Sequence, residues 1–227
     1  MIPIQDDNPV RRTPVISYLI IALCAATFLW QLTLGADGFR HAMFSFGLVP
    51  AVLSGRAALP PELALIAPPL TVFTSMFLHG GIMHLLGNLL FLWIFADNVE
   101  DRLGRLRFVI FYLFCGVAAA LAQALPDLAS RIPMIGASGA ISGVLAAYML
   151  MYPHARVRVV VPVFFVLQIV RLPALLVLGL WFLIQLLSSL LAQPGSGGVA
   201  FRAHIGGFVA GLLLLPLFLP RRHPGRG

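Results

Sequence analysis

The sequence predicts an all-α membrane protein, a bundle of six transmembrane helices with a long external first loop. Three observations carry that expectation. Of the residues, 60% are hydrophobic and only 10% charged, against about 25% charged in soluble chains; so little polar material could not cover a soluble surface. Six apolar segments, 15–34, 82–97, 106–125, 136–152, 172–191 and 203–219, approach the roughly 20 residues that a helix needs to cross a bilayer. The arginines between these segments are biased to one side.

The first run, Val15 to Leu34, follows Arg11 and Arg12 and is longer than a typical signal-peptide core. It reads as a retained signal anchor behind a short cytoplasmic N-terminus, residues 1–14. Residues 35–81 form the long external loop, and a loop of that length in a compact protein usually has a task. Its apolar stretch 63–78 contains Pro68-Pro69, which breaks a helix, so the stretch reads as interfacial. The second and fourth spans are the least apolar, because they carry His, Asn and Ser. Residues 159–170 contain Pro162 and lie between Arg156, Arg158 and Arg171. They read as an interfacial or partly embedded loop, since a seventh span would put the termini on opposite sides. Gln193-Pro194-Gly195-Ser196-Gly197-Gly198 is a flexible turn before the last span. The membrane domain then covers 15–219, and 220–227 is a basic cytoplasmic tail.

All 15 cationic residues are arginine, against 8 acids, for a formal charge of +7. With the N-terminus cytoplasmic, the inside set is Arg11, Arg12, Arg102, Arg105, Arg107, Arg156, Arg158, Arg171, Arg221, Arg222 and Arg226; the outside set is Arg40, Arg56, Arg131 and Arg202. A split of 11 against 4 is positive-inside topology, with both termini cytoplasmic. Because the arginines form no single patch, a nucleic-acid partner is not expected. Cys24 and Cys115 each lie inside an apolar run and read as small core residues rather than a disulfide.

Unpaired polar groups in hydrocarbon cost several kcal/mol each, so ionisable residues inside spans start as functional candidates. Ser138, in Gly136-Ala137-Ser138-Gly139, begins the fourth helix, where free backbone N–H groups and the positive end of the dipole favour a nearby oxyanion. The alternative is a packing face, Gly139-Gly143-Ala147 at i, i+4 spacing. His204 begins the last span, with Gly207 and Gly211 on its own face. That bare face lets the fourth helix approach and would bring the imidazole to Ser138 as its base. His84 and Asn88, spaced i, i+4 on the second helix, could both donate to an oxyanion, or could tie helices together as a buried polar pair. His79 reads as structural, holding the loop. Asp97, Glu100 and Asp101 look like an ion-pair cluster at the cytoplasmic interface. No carboxylate lies in a span near the outer side, so a dyad is expected, with the orienting role falling to packing.

These residues resemble a family. Gly136-Ala137-Ser138-Gly139 and Ala203-His204-Ile205-Gly206-Gly207-(x)3-Gly211 resemble the two catalytic signatures of rhomboid proteases. His79-Gly80-Gly81-(x)2-His84-(x)3-Asn88 resembles the second-helix motif. Phe46-Gly47-Leu48-Val49-Pro50 and Glu100-Asp101-Arg102-Leu103-Gly104 also look like the family, in order, over roughly 15–219. The resemblance implies a rhomboid-like bundle with Ser138 as nucleophile, His204 as general base, and His84 and Asn88 as oxyanion donors with the Ser138 N–H. Some members have an aromatic residue four positions after the serine, stacked on the histidine; here it is Ser142, so other neighbours must orient His204.

The expected activity is intramembrane serine endopeptidase, cleaving single-span membrane proteins from the lipid bilayer through an acyl-enzyme. The expected setting is a bacterial plasma membrane. No cofactor and no metal are expected: His79, His84 and His204 carry no HExxH-type motif. A non-catalytic binder or chaperone on the same fold would lack the nucleophile or the base, and both are present. A small transporter would need a repeat pair of broken spans, and none is visible.

Overall fold

The computed structural model describes residues 1–163, 166–191 and 199–220. The turn at Gln193–Gly198 and the tail arginines Arg221, Arg222 and Arg226 lie outside the described residues. The chain runs β1 (Ile2–Asp6), α1 (Val15–Thr33), α2 (Gly35–Phe46), α3 (Pro50–Leu53), α4 (Thr71–Thr74), α5 (Ile82–Leu103), α6 (Arg105–Ala124), α7 (Ser138–Met151), β2 (Arg156–Val163), β3 (Val166–Pro173), α8 (Ala174–Leu191) and α9 (Phe201–Phe218). Helices α1, α5, α6, α8 and α9 are long and apolar enough to cross a membrane. This is an integral membrane protein built as a helical bundle.

The fourth expected span differs from the others. Helix α7 has 14 residues, about 21 Å at 1.5 Å per residue, short of a hydrocarbon core of about 30 Å. It is also the innermost helix: every residue from Gly139 to Tyr148 is buried. Protein surrounds it, so it needs neither full span length nor a lipid-facing stripe. Its first residue therefore starts inside the bundle.

Missing side chains let α7 be enclosed. A Cβ on Gly207 would overlap the carbonyl oxygen of Gly139, and one on Gly211 would overlap that of Gly143. On the other side, a Cβ on Gly139 would stand 2.6 Å from Ala119 of α6, and one on Gly143 would collide with Cys115. Gly206 of α9 faces Ala122 of α6 as closely. Helices α7 and α9 thus meet backbone to backbone, with the small side chains of α6 set against both, the packing that small residues allow where apolar burial gives no drive between helices in lipid. Cys24 and Cys115 are free and buried in this core.

The second span extends past the expected position 97 to Leu103, because no breaker intervenes before Gly104 at φ +83°. Its polar end is not an ion-pair cluster. Glu100 is buried and caps α1: its carboxylate accepts from the N–H groups of Ile16 (3.0 Å) and Ser17 (2.7 Å) and from the Ser17 hydroxyl (2.8 Å). Asp101 accepts from the Arg11 backbone N–H, and Asp97 from that of Asn98. Among the described residues the one salt bridge is Arg40–Asp37. Free N–H groups at a helix start are strong partners for a carboxylate, and here they take the place of arginine side chains.

Residues 159–170 are not a loop. They belong to a three-stranded antiparallel sheet, ordered β1-β2-β3, that adds to the helical bundle. Strands β2 and β3 pair from Arg156↔Pro173 to Val163↔Val166, and β1 pairs from Ile2↔Val160 to Asp6↔Val157. The alternation Arg156-Val157-Arg158-Val159 puts Val157 and Val159 in the core, both fully buried, as period-two patterning requires. Pro162 is tolerated because β1 pairing ends at Val160, before the missing N–H would matter. The Tyr148 hydroxyl donates to Asp6, fastening the sheet to the C-terminal half of α7.

On the opposite side, residues 35–81 fold as short helices and turns. A 3-10 turn at Pro68–Leu70 replaces the helix that Pro68-Pro69 forbids. This layer holds the segment before α7: Leu48 and Met134 exchange backbone hydrogen bonds of 3.0 and 2.8 Å, and the Gly136 N–H donates to the Ser75 carbonyl at 2.8 Å.

If glycine spacing holds the bundle, Gly207→Ala and Gly211→Ala should each lower unfolding free energy in detergent by about 1–3 kcal/mol. Gly87→Ala and Gly179→Ala, which face open space, should match wild type or exceed it by up to about 1 kcal/mol. Equal losses at all four positions would contradict this packing.

Candidate active site

Ser138 is the first residue of α7, and Ala137 before it is the N-cap. Its backbone N–H is one of the helix-start donors without an intrahelical partner. His204 lies in the first turn of α9, whose start is fixed by Gln123 of α6: the Gln123 side-chain oxygen accepts from the Ala203 N–H at 3.2 Å. The glycine contacts along α7 and α9 bring the two starts together, and the Ser138 hydroxyl lies 2.7 Å from His204 Nε2. His204 is 9% exposed and Ser138 half-buried.

Gly136 comes two residues before Ser138, at φ +113°. A Cβ there would stand 2.6 Å from His84 Nε2 and 3.7 Å from the Asn88 side-chain nitrogen. Both donors of α5 therefore converge on the turn that leads into Ser138. The Gly80 N–H donates to His84 Nδ1 at 3.4 Å, which leaves Nε2 to carry the ring hydrogen on the side facing Gly136. Asn88 is buried and spends one amide hydrogen on the His84 carbonyl at 3.1 Å; its second amide hydrogen is free for another acceptor.

His79 holds the junction in place rather than joining this group. It is fully buried, and its backbone N–H and carbonyl form a reciprocal pair with the Gln31 side chain of α1, at 3.1 and 3.2 Å. Its ring packs edge-on to His84, with centroids 5.2 Å apart. Burial first, and His84 second, hold the His79 imidazole down to about 4, so the ring is neutral at physiological pH. Its Nδ1 donates to the Phe77 carbonyl at 3.2 Å.

The residues that orient His204 come from α8, which the sequence reading gave no role at the dyad. Trp181 lies beside the imidazole with centroids 5.7 Å apart and planes 36° apart. Gln185, one turn on, places its side-chain oxygen 2.7 Å from His204 Nδ1. Ser142, where some rhomboids have an aromatic residue, returns its hydroxyl to the Ser138 carbonyl at 2.6 Å and leaves His204 alone. The signal for Gln185 was available: it is a lone amide amid the apolar run Leu175–Leu187, and such a group in hydrocarbon needs a partner. Among the described residues no three His, Cys, Asp or Glu side chains converge as a metal site, and both His204 nitrogens are already engaged.

A model of the rhomboid domain matches residues 69–221. Rhomboid protein 1, mitochondrial, of Saccharomyces cerevisiae is 28% identical over 157 residues, which is 65% of this chain and 41% of that protein. The presenilin-associated rhomboid-like protein, mitochondrial, of Mus musculus is 36% identical over 93 residues, 40% of this chain and 25% of that protein. RHOMBOID-like protein 5 of Arabidopsis thaliana is 32% identical over 76 residues, 34% of this chain and 25% of that protein. The matches thus span about two fifths or less of these relatives' lengths.

Gly136→Ala should push the His84 ring from the turn before Ser138. If Ser138 is the nucleophile and His84 an oxyanion donor, the rate at which a fluorophosphonate labels Ser138 should then fall at least about tenfold, the scale of losing one such donor. Labelling at the wild-type rate would show that the close approach of His84 to this turn is not needed.

Proposed function

The chain belongs to the rhomboid family, and on that premise we propose that it is an intramembrane serine endopeptidase working through a Ser138–His204 dyad. The observation that carries this reading is the 2.7 Å contact between the Ser138 hydroxyl and His204 Nε2, made between the starts of α7 and α9. A serine hydroxyl is a weak nucleophile unless a base takes its proton, and a neutral imidazole at this distance can.

In the proposed reaction His204 Nε2 accepts the Ser138 proton as Oγ attacks a substrate peptide carbonyl. The negative charge that develops on the carbonyl oxygen is met by the Ser138 N–H, His84 Nε2–H and the Asn88 amide. His204 then gives its proton to the leaving amine, and an ester to Ser138 remains. Water, deprotonated by His204, hydrolyses that ester and restores the hydroxyl. Supporting this is the position of Ser138 at the start of α7, a short helix that is buried from Gly139 to Tyr148, with Ser138 itself half-buried.

The substrates are single-span membrane proteins with helix-weakening residues near the outer end of the span. A helix in lipid has its backbone bonds satisfied and its carbonyls shielded, so the segment must unwind before attack. The family resemblance adds a small residue before the cut. The same reading assigns residues 1–14 and 220–227 to the cytoplasmic side, 15–219 to the membrane domain, and the host membrane to a bacterial plasma membrane.

A fluorophosphonate should label the purified protein at Ser138, with or without a chelator. Ser138→Ala and His204→Ala should each lower cleavage of a single-span substrate by about 10³-fold or more, while His84→Ala and Asn88→Ala should each lower kcat by about 10 to 10³-fold. Normal cleavage by Ser138→Ala would end the proposal.

A further inference from the structure

We infer that Gln185 is the positioning residue for the base, holding His204 in the one neutral tautomer that can accept the Ser138 proton. The inference rests on the dyad reading and names a residue that acts through His204. Its starting point is the place of Gln185 in the fold. Helix α8 is the 18-residue run ALLVLGLWFLIQLLSSLL, among the most apolar spans in the chain, and Gln185 is buried within it. An amide in hydrocarbon is tolerated when it is hydrogen-bonded, and here its oxygen lies 2.7 Å from His204 Nδ1.

The chemistry of that contact has one solution. An amide oxygen only accepts, so Nδ1 must carry the ring hydrogen and donate it. Neutral imidazole has a single ring hydrogen, so Nε2 is then bare and faces the Ser138 hydroxyl at 2.7 Å. The opposite tautomer would set an N–H against the hydroxyl and leave no base. This is the role that a carboxylate fills in a triad: it fixes the tautomer and stays out of the proton transfer. A neutral amide does the same without burying a charge, which the membrane interior disfavours.

The same face of α8 fixes the ring plane. Trp181, one turn before Gln185, flanks the imidazole, and Phe182 stacks on Phe208 of α9 with centroids 4.3 Å apart. Trp181 and Gln185 together limit rotation of His204 about its own axis. They do so from a helix that carries none of the residues of the dyad or the oxyanion group.

The test uses the full chain, labelled with 15N-histidine in detergent micelles, and two substitutions. Gln185→Met keeps the length of the side chain and removes the acceptor; Gln185→Glu keeps an oxygen acceptor. Wild type should show His204 protonated at Nδ1 and bare at Nε2. Gln185→Met should shift His204 toward the Nε2–H form, and should lower both the fluorophosphonate labelling rate and kcat at least about tenfold with KM unchanged. Gln185→Glu should restore the Nδ1–H form and most of the labelling rate.

A wild-type spectrum with Nε2 protonated would overturn the inference, even if Gln185→Met failed to fold. So would Gln185→Met labelling at the wild-type rate, or Gln185→Glu failing as fully as Gln185→Met with an equal loss of folded protein. If wild type itself resists the fluorophosphonate, the dyad reading fails instead, and the spectrum still reports whether Gln185 sets the tautomer.

Discussion

Backbone contact between α7 and α9 sets where everything else at the site can be. Gly207 rests on the Gly139 carbonyl and Gly211 on that of Gly143, with no side chain between. A side chain at Gly207 or Gly211 would push α9 off α7, and one at Gly139 or Gly143 would push α7 off α6; a hydrogen bond of 2.7 Å between Ser138 and His204 has little slack for either. The glycines are remote from the reacting atoms, yet they determine whether those atoms meet. Helix α6 closes the arrangement from the other side through Ala119, Ala122 and Cys115, so the pair cannot drift apart as a unit.

Two further layers hold the short helix at its depth. On one side, the folded loop between α1 and α5 grips the residues before Ser138 through the Leu48–Met134 bridge and the Gly136–Ser75 bond. On the other, the sheet meets α7 through Tyr148 and Asp6, while Glu100 ties the start of α1 to the end of α5. The site is thus a point where helix starts converge: α7 brings Ser138, α9 brings His204, and the first turns of α5 bring His84 and Asn88. Helix starts expose N–H groups and a positive dipole end, a setting suited to a developing negative charge.

Much of this was legible in the sequence because lipid makes polar residues conspicuous. Ser138, His204, His84 and Asn88 stood out against apolar runs, and the glycine spacing on two helices suggested which faces would meet. What escaped detection has physical reasons. Gln185 is as conspicuous as Asn88 in an apolar run, but its partner His204 lies on another helix, and only the fold brings the two together. Glu100 sits among arginines, and only the fold reveals that the start of α1 lies nearer than any guanidinium. The strands around Val157 and Val159 were hidden by Pro162, which argues against a strand unless the extent of pairing is known. The short α7 could not be distinguished from a full span, since its enclosure depends on neighbours distant in the chain.

In the proposed mechanism the protein supplies geometry and neutral dipoles rather than buried charge: a hydroxyl, an imidazole held by an amide, and N–H donors. The central claim is that bond cleavage passes through an ester on Ser138, and intact-protein mass spectrometry of a reaction with a single-span substrate, quenched during turnover, tests it directly. The account predicts a transient mass increase equal to the N-terminal substrate fragment less one water, mapped by fragmentation to Ser138. Product formation at full rate with no such adduct, or with the adduct on another residue, would contradict it.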